Sequence, residues 1–281
     1  MLRKAFALAA LGLTLVGGQV FAATTEKEPA DVHWSFEGPF GKFDKAQVQR
    51  GYKVYREVCS ACHSMNLLYF RNLGQKGGPF YDEKYANPNN NPFVKSLAHD
   101  IQVKDVDPDT GDVISRPAMP ADKFPAPFPN EPAARASNGG ALPPDLSVIT
   151  KAREGGPAYI YSILTGFEAA PHGMTVPAGK YYDPYMPGDM AAFWTGPKDK
   201  IPEGGFIAMP PPLAPGKVTF DDGTPSTVQN EAKDVAAFLA WAAEPKAEER
   251  KAFGLGAMIY LLIFSGLLFA SYKKIWRNVS H

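Results

Sequence analysis

Proline and glycine decide what this chain can fold into. Of its residues, 27 are proline and 26 glycine, and they concentrate in four segments: 77–92, 117–132, 171–187 and 197–215. A proline lacks the amide donor that a helix or strand needs, and a glycine gives up the most conformational freedom on ordering, so no long regular element passes through such segments. Three stretches between them keep a helical pattern: Lys45 to His63, Leu146 to Leu164 opened by Pro143, Pro144 and Asp145, and Glu231 to Ala243 closed by Pro245. Gly155, Gly156 and Pro157 threaten to split the second. No stretch alternates convincingly as a strand, and nothing repeats at a fixed period. The pattern predicts a mostly helical body wrapped in long ordered loops, and loops of that length usually order around something bound.

The two ends are apolar for different reasons. Arg3 and Lys4 precede the apolar run Ala5 to Val16, and Val20-Phe21-Ala22 leads into the polar residues 24–28, so residues 1–22 read as a secretory signal peptide. Toward the other end, Ala252 to Tyr272 is 21 residues without a charge. As a helix it would be about 31 Å long, the thickness of bilayer hydrocarbon. Lys273, Lys274 and Arg277 follow it, and Tyr272 and Trp276 suit an interface. The division expected is therefore a signal peptide at 1–22, an exported domain at 23–249, and at 250–281 a single transmembrane anchor with a short cytoplasmic tail.

Charge supports this division. Lys and Arg total 29, as do Asp and Glu, but residues 23–249 carry all 29 acids against 22 bases, a net charge of −7. An acidic body with basic ends gives no electrostatic footprint for nucleic acid, and hydrophobic residues at 45% exclude a disordered chain.

Both cysteines of the chain fall in Cys59-Ser60-Ala61-Cys62-His63. Two thiols about one helical turn apart can add to the two vinyl groups of one haem, and the adjacent imidazole can then bind the iron. A disulfide would also suit an exported protein. A thioredoxin-like pair would need a βαβ context, and zinc would need further Cys or His ligands; neither is visible. A sixth, methionine ligand would raise the potential and close the iron to exchangeable ligands, which suits electron transfer. Met65 lies too near His63 in sequence to reach the opposite haem face. Met119, Met174, Met186, Met190 and Met209 remain, with His99 and His172 as nitrogen alternatives. Met209 stands out because Pro210, Pro211 and Pro212 stiffen its loop and a helical stretch follows.

These residues resemble the cytochrome c1 family, the haem subunit of ubiquinol:cytochrome c oxidoreductase (the bc1 complex). The blocks that carry the resemblance run in order from about Phe43 to the C-terminus. They are Gln49-Arg50-Gly51-Tyr52-Lys53-Val54-Tyr55, the cysteine motif, Pro129 to Arg135, Gly140-Ala141-Leu142-Pro143-Pro144-Asp145-Leu146-Ser147, Leu164-Thr165-Gly166, Asp183-Pro184-Tyr185, Ala208-Met209-Pro210-Pro211, Asp221 to Pro225, Trp241 to Pro245, and the membrane helix.

The resemblance implies a class I cytochrome c-like helical haem domain with one covalent haem c, thioether bonds at Cys59 and Cys62, and iron ligands His63 and Met209. It also implies Arg116 beside a haem propionate, and a backbone carbonyl from Pro143 or Pro144 on the second nitrogen of His63. The partners it implies are cytochrome b, the Rieske iron-sulfur subunit and a c-type cytochrome acceptor, at a bacterial inner membrane with the haem domain on the periplasmic side. The chain would relay one electron and break no substrate bond. A free-standing membrane-anchored cytochrome c, or an exported thiol-disulfide or metal-binding protein, are the other readings of the same residues. Two departures from the family are visible: the order Asp122-Lys123-Phe124 lacks a tyrosine before the phenylalanine, and no cysteine remains for a disulfide around residues 166–188.

Overall fold

A computed structural model describes residues 26–278; the signal peptide expected at 1–22 lies outside the described residues. Asp44 starts helix α1 (Lys45–Glu57) by accepting from the amides of Ala46 and Gln47. Its buried face, Val48, Gly51, Tyr52, Val54 and Tyr55, follows the helical period. Short helices α2 (Phe70–Gly74), α3 (Pro92–His99) and α4 (Glu131–Ser137) follow, then α5 (Gly156–Thr165), α6 (Val228–Ala243) and α7 (Ala247–Trp276). Two antiparallel ribbons, β1 (Gln102–Val106) with β2 (Val113–Pro117) and β3 (Tyr181–Asp183) with β4 (Gly205–Ile207), complete the body.

The centre of the domain is the crossing of α1 and α6, with α5 packed on the other side of α6. Gly51 sits at the crossing: a Cβ there would lie 2.0 Å from the backbone oxygen of Asp234 and 2.7 Å from Phe238 Cβ. Beside it the Arg50 guanidinium grips Asp234 with two hydrogen bonds, 2.6 and 3.1 Å, and reaches Asp222 at 2.7 Å. Asp234 is almost fully buried; burial raises its pKa and the Arg50 fork opposes that rise by supplying the paired charge. Tyr52, Tyr55, Phe70, Phe124 and Phe238 pack ring against ring in one aromatic cluster, for example Phe70 and Phe124 at 4.5 Å. The Trp241 indole extends it and donates to the Gly77 carbonyl at 2.9 Å.

The body is mostly helical, and three details differ from the sequence pattern. Helix α1 stops at Glu57 instead of His63. Val58 leaves helical geometry at φ −118°, a tight turn covers Cys59–Ala61, and the amides of both Cys62 and His63 converge on the Cys59 carbonyl. The stretch 146–164 is helical only from Gly156, because Gly155 takes the left-handed conformation at φ +76°. Helix α6 begins three residues early, at Val228, where Thr227 accepts from the Asn230 amide.

The two ribbons were not expected. In β1 the alternation is real but shallow, exposed and half-buried residues taking turns with charged side chains on both faces, which is why the pattern did not signal a strand.

Helix α7 leaves the body. Among its residues only Ala247 is buried, and Phe253, Met258, Leu262, Ile263 and Leu267 stand exposed. At 30 residues, with a mean hydropathy of 2.1 over its most apolar 18-residue window, it is long and apolar enough to cross a bilayer. Its base is fastened to the domain: the Phe43 amide donates to Glu248 at 3.0 Å, Lys251 Nζ donates to the carbonyls of Phe36 and Gly41, and Arg250 pairs with Glu244.

Candidate haem site

The turn after α1 puts Cys59 half-buried and Cys62 exposed, both as free thiols. Cys59 and Val58 lean on the main core, and burial pushes the Cys59 thiol up to about 12, so it remains protonated at neutral pH. Ser60 Oγ donates to the Arg56 carbonyl and ties the turn back to α1.

His63 carries the strongest geometric signal. Its Nδ1 lies 2.8 Å from the Pro144 carbonyl. That contact fixes the tautomer with the proton on Nδ1, so Nε2 keeps its lone pair for a metal. Burial holds the imidazole below its usual pKa, against the opposing pull of the Pro144 carbonyl and the Asp145 charge, and keeps it in the neutral form that ligates.

The carbonyl that orients His63 is itself held. Asp145 accepts from Ser64 Oγ, the Asn66 amide and the Ser147 amide, each at 2.8 Å. The Leu146 amide donates to the Ser64 carbonyl at 2.9 Å, and the Leu67 amide to Ser147 Oγ at 3.0 Å. Burial alone would raise the Asp145 pKa, but these hydrogen bonds keep it below the usual carboxylate range. The chain just after His63 is thus clasped to the chain just after Pro144.

We expect Asp145→Ala to leave three donors without a partner. The loss should be about 1–3 kcal/mol of stability, read by thermal denaturation. In the haem-loaded protein the potential should rise, because a loosened carbonyl leaves a less basic imidazole. Unchanged melting and potential would show that Asp145 does not hold His63.

The candidate sixth ligands separate by surroundings. His99 and His172 are exposed, and Met119 is 53% exposed. Met65 and Met190 are buried in packing, and the sulfur of Met186 accepts from the Tyr159 hydroxyl at 3.9 Å. Met174 sits half-buried in a loop bridged to Trp194. Met209 is half-buried directly after β4. Its three prolines lead to Leu213, which is buried in the same core that Cys59 leans on.

Arg116 has two partners already. Its Nε bonds Asp105 at 2.5 Å, and Nη1 and Nη2 grip Asp122 at 2.6 and 3.0 Å; Nη1 also donates to the Pro117 carbonyl. Asp122 further accepts from the Met119 amide. One N–H remains, and a propionate arriving there would meet two carboxylates in place. Phe124, in the segment that lacks the family's tyrosine, is buried in the aromatic cluster.

A haem c is implied by the cysteine motif, and the donor set fits one. It offers two free thiols on one turn and an adjacent imidazole with Nε2 free, beside the core against which Cys59 and Val58 pack. What the sequence reading did not foresee is the Asp145 clasp. Its only signal was that Asp145 follows two prolines.

The profile of the Cytochrome C1 family matches residues 34–279. The chain is 44% identical to a protein named cytochrome b/c1 from Bradyrhizobium diazoefficiens, covering 98% of this chain and 39% of that longer protein. It is 38% identical to a cytochrome c1 of Rhodospirillum rubrum over 98% of this chain and 97% of that one. With a cytochrome c1 of Blastochloris viridis it shares 40% identity over 88% and 86%.

Proposed function

The chain belongs to the cytochrome c1 family, the haem-bearing electron-transfer subunit of the bc1 complex, and from that premise we propose which residues do the work and with which partners. Cys59 and Cys62 would hold one haem c by thioether bonds, and His63 Nε2 and the Met209 sulfur would bind its iron. The observation that carries this is the His63 ring, turned and fixed by Pro144 so that one nitrogen is left for a metal. When bound, the group supplies a reversible one-electron couple.

The residues of the chain then do three things. Pro144 and the Asp145 clasp keep the imidazole from rotating between oxidation states. The Met209 loop, stiffened by Pro210, Pro211 and Pro212, presents a thioether without a large rearrangement. The aromatic core and the α1–α6 crossing hold both ligand-bearing segments on one rigid scaffold. A site that moves little between its two charge states exchanges an electron with small reorganisation.

Arg116 enters this proposal as a brace. By joining Asp105 on β1 to Asp122 it fixes the segment 117–124, which carries Phe124 into the core.

The donor in this reading is the Rieske subunit, and cytochrome b is the membrane neighbour. A protein named cytochrome b/c1 that matches 98% of this chain supports the second pairing. Residues 23–249 form the haem domain, on the periplasmic side of a bacterial inner membrane. Lys273, Lys274 and Arg277 at the far end of α7 favour a cytoplasmic tail.

The acceptor is a c-type cytochrome with a basic face, drawn by the −7 body. Among the acids of the first ribbon, Asp105 is neutralised by Arg116, and Asp100 nearby by Arg56. Asp107, Asp109 and Asp112, at the turn of the ribbon, carry no recorded cation partner among the described residues. Reduction of the acceptor is expected to slow several-fold between about 50 and 200 mM salt, and a joint Asp107→Asn, Asp109→Asn, Asp112→Asn variant to flatten that dependence. Stopped-flow rates that ignore ionic strength would remove charge-steered docking from the account.

A further inference from the structure

At the base of α7 a cavity of about 320 Å3 opens between the start of α1, the loop 76–81 and the first turn of the membrane helix. Its floor is apolar, with Phe43, Val48, Pro79 and Trp241. Its rim carries Lys42, Lys45 and Lys76, and Glu248 is the one carboxylate in its lining. All three lysines are exposed, and none has a recorded carboxylate partner among the described residues. Lys45 Nζ stands 5.5 Å from the Tyr81 ring centroid. Glu248 is turned to the Phe43 amide at 3.0 Å, so it does not cancel the rim. This positive mouth lies on a domain whose net charge is negative, and neither electron transfer nor the haem ligands use it.

Its place decides its chemistry. Glu248 precedes Ala252, the first residue of the uncharged run, by four residues, about 6 Å along a helix. The cavity therefore stands at headgroup depth, with the lysines above the hydrocarbon and the apolar floor continuing toward the exposed side chains of α7.

We propose that this cavity holds one anionic phospholipid of the leaflet facing the haem domain: its phosphate between Lys42, Lys45 and Lys76, its glycerol and upper acyl chain on Phe43 and Pro79. A free phosphate is a poorer match, because long exposed lysines over an apolar floor offer charge but no converging backbone donors. A zwitterionic lipid brings its own cation into a mouth that already has three. The inference rests on the reading of α7 as a membrane span, which is checked separately: a spanning chain resists extraction by alkaline carbonate, whatever lipid it prefers.

The test uses the full-length, haem-loaded chain in a neutral detergent doped with phosphatidylglycerol or phosphatidylcholine, with retained lipids counted by native mass spectrometry. One phosphatidylglycerol is expected to remain bound and phosphatidylcholine to wash off. Each lysine near an acidic headgroup is worth about fivefold in affinity, so Lys42→Gln, Lys45→Gln, Lys76→Gln together should weaken retention on the order of a hundredfold. Lys76→Gln alone, on the loop, should weaken it about fivefold, and serves if the triple variant fails to load haem. Equal retention by wild type and variants, equal retention of phosphatidylcholine, or displacement by millimolar inorganic phosphate would each overturn the proposal. So would a lipid-free wild type whose Lys76 cross-links to a neighbouring subunit.

Discussion

Met209→Leu is expected to leave the haem on the chain and to drop its midpoint potential by on the order of a hundred millivolts or more. The thioether bonds proposed at Cys59 and Cys62 would not depend on the sixth ligand, so the protein should stay coloured. A thioether donor favours the reduced iron, and leucine offers nothing in its place, so the oxidised form gains. The open position should also admit small exogenous ligands that the wild type refuses. Met174→Leu is the control, since Met174 shares the half-burial of Met209 but lies in the loop bridged to Trp194. Spectroelectrochemical titration of the two variants decides between them. A fall in Met174→Leu with no change in Met209→Leu would move the ligand to the other loop.

The second large effect is structural. Gly51→Ala should cost more than about 3 kcal/mol and abolish accumulation of the folded domain, although alanine is the better helix former by about 1 kcal/mol. The added methyl would start 2.0 Å from the Asp234 carbonyl oxygen, and backbone cannot step aside as a flexible side chain can. Opening the crossing would also pull Arg50 from Asp234 and strand a buried carboxylate. The check is expression and thermal melting of the loaded variant. A Gly51→Ala protein that melts with the wild type would show that α1 and α6 do not meet as closely as described.

These two positions also show what could be read in advance. The haem-attachment spacing is legible because its chemistry is local: two thiols one turn apart and a histidine beside them need no knowledge of the fold. The long apolar helix α7 is legible because its uncharged run is apolar on every side, and α1, α6 and the second half of the stretch 146–164 because period 3.6 survives between the proline-rich segments. Gly51 lies in one of the blocks that resemble the family, but its reason is a contact with Asp234, 183 positions away, and no local pattern records such a contact. Asp145 was hidden in the same way. A carboxylate after two prolines looks like a helix cap, and only the folded chain brings Ser64 and Asn66 to it.

Arg116 shows a different difficulty. An arginine near the haem loop suggests a propionate; its guanidinium also pairs with Asp105 and Asp122, one N–H stays available to that propionate, and nothing in the order of residues foretells the two carboxylates. The ribbons β1–β2 and β3–β4 give little signal because β1 has charged residues on both faces and β3 has only three residues, too few to show an alternation. The sequence pattern extends α1 six residues beyond Glu57 because helical propensity continues there, while the convergence of two amides on the Cys59 carbonyl is a matter of geometry.

The account stands on one covalent cofactor. The direct measurement is the intact mass and visible spectrum of the mature chain after acid-acetone extraction, which removes any haem not bonded to protein. One haem should remain on the polypeptide, the reduced-minus-oxidised spectrum should show a c-type alpha band, and alkylation should find neither Cys59 nor Cys62. A chain that matures at the membrane, comes out colourless at the mass of the bare polypeptide, and yields two alkylated cysteines would contradict it.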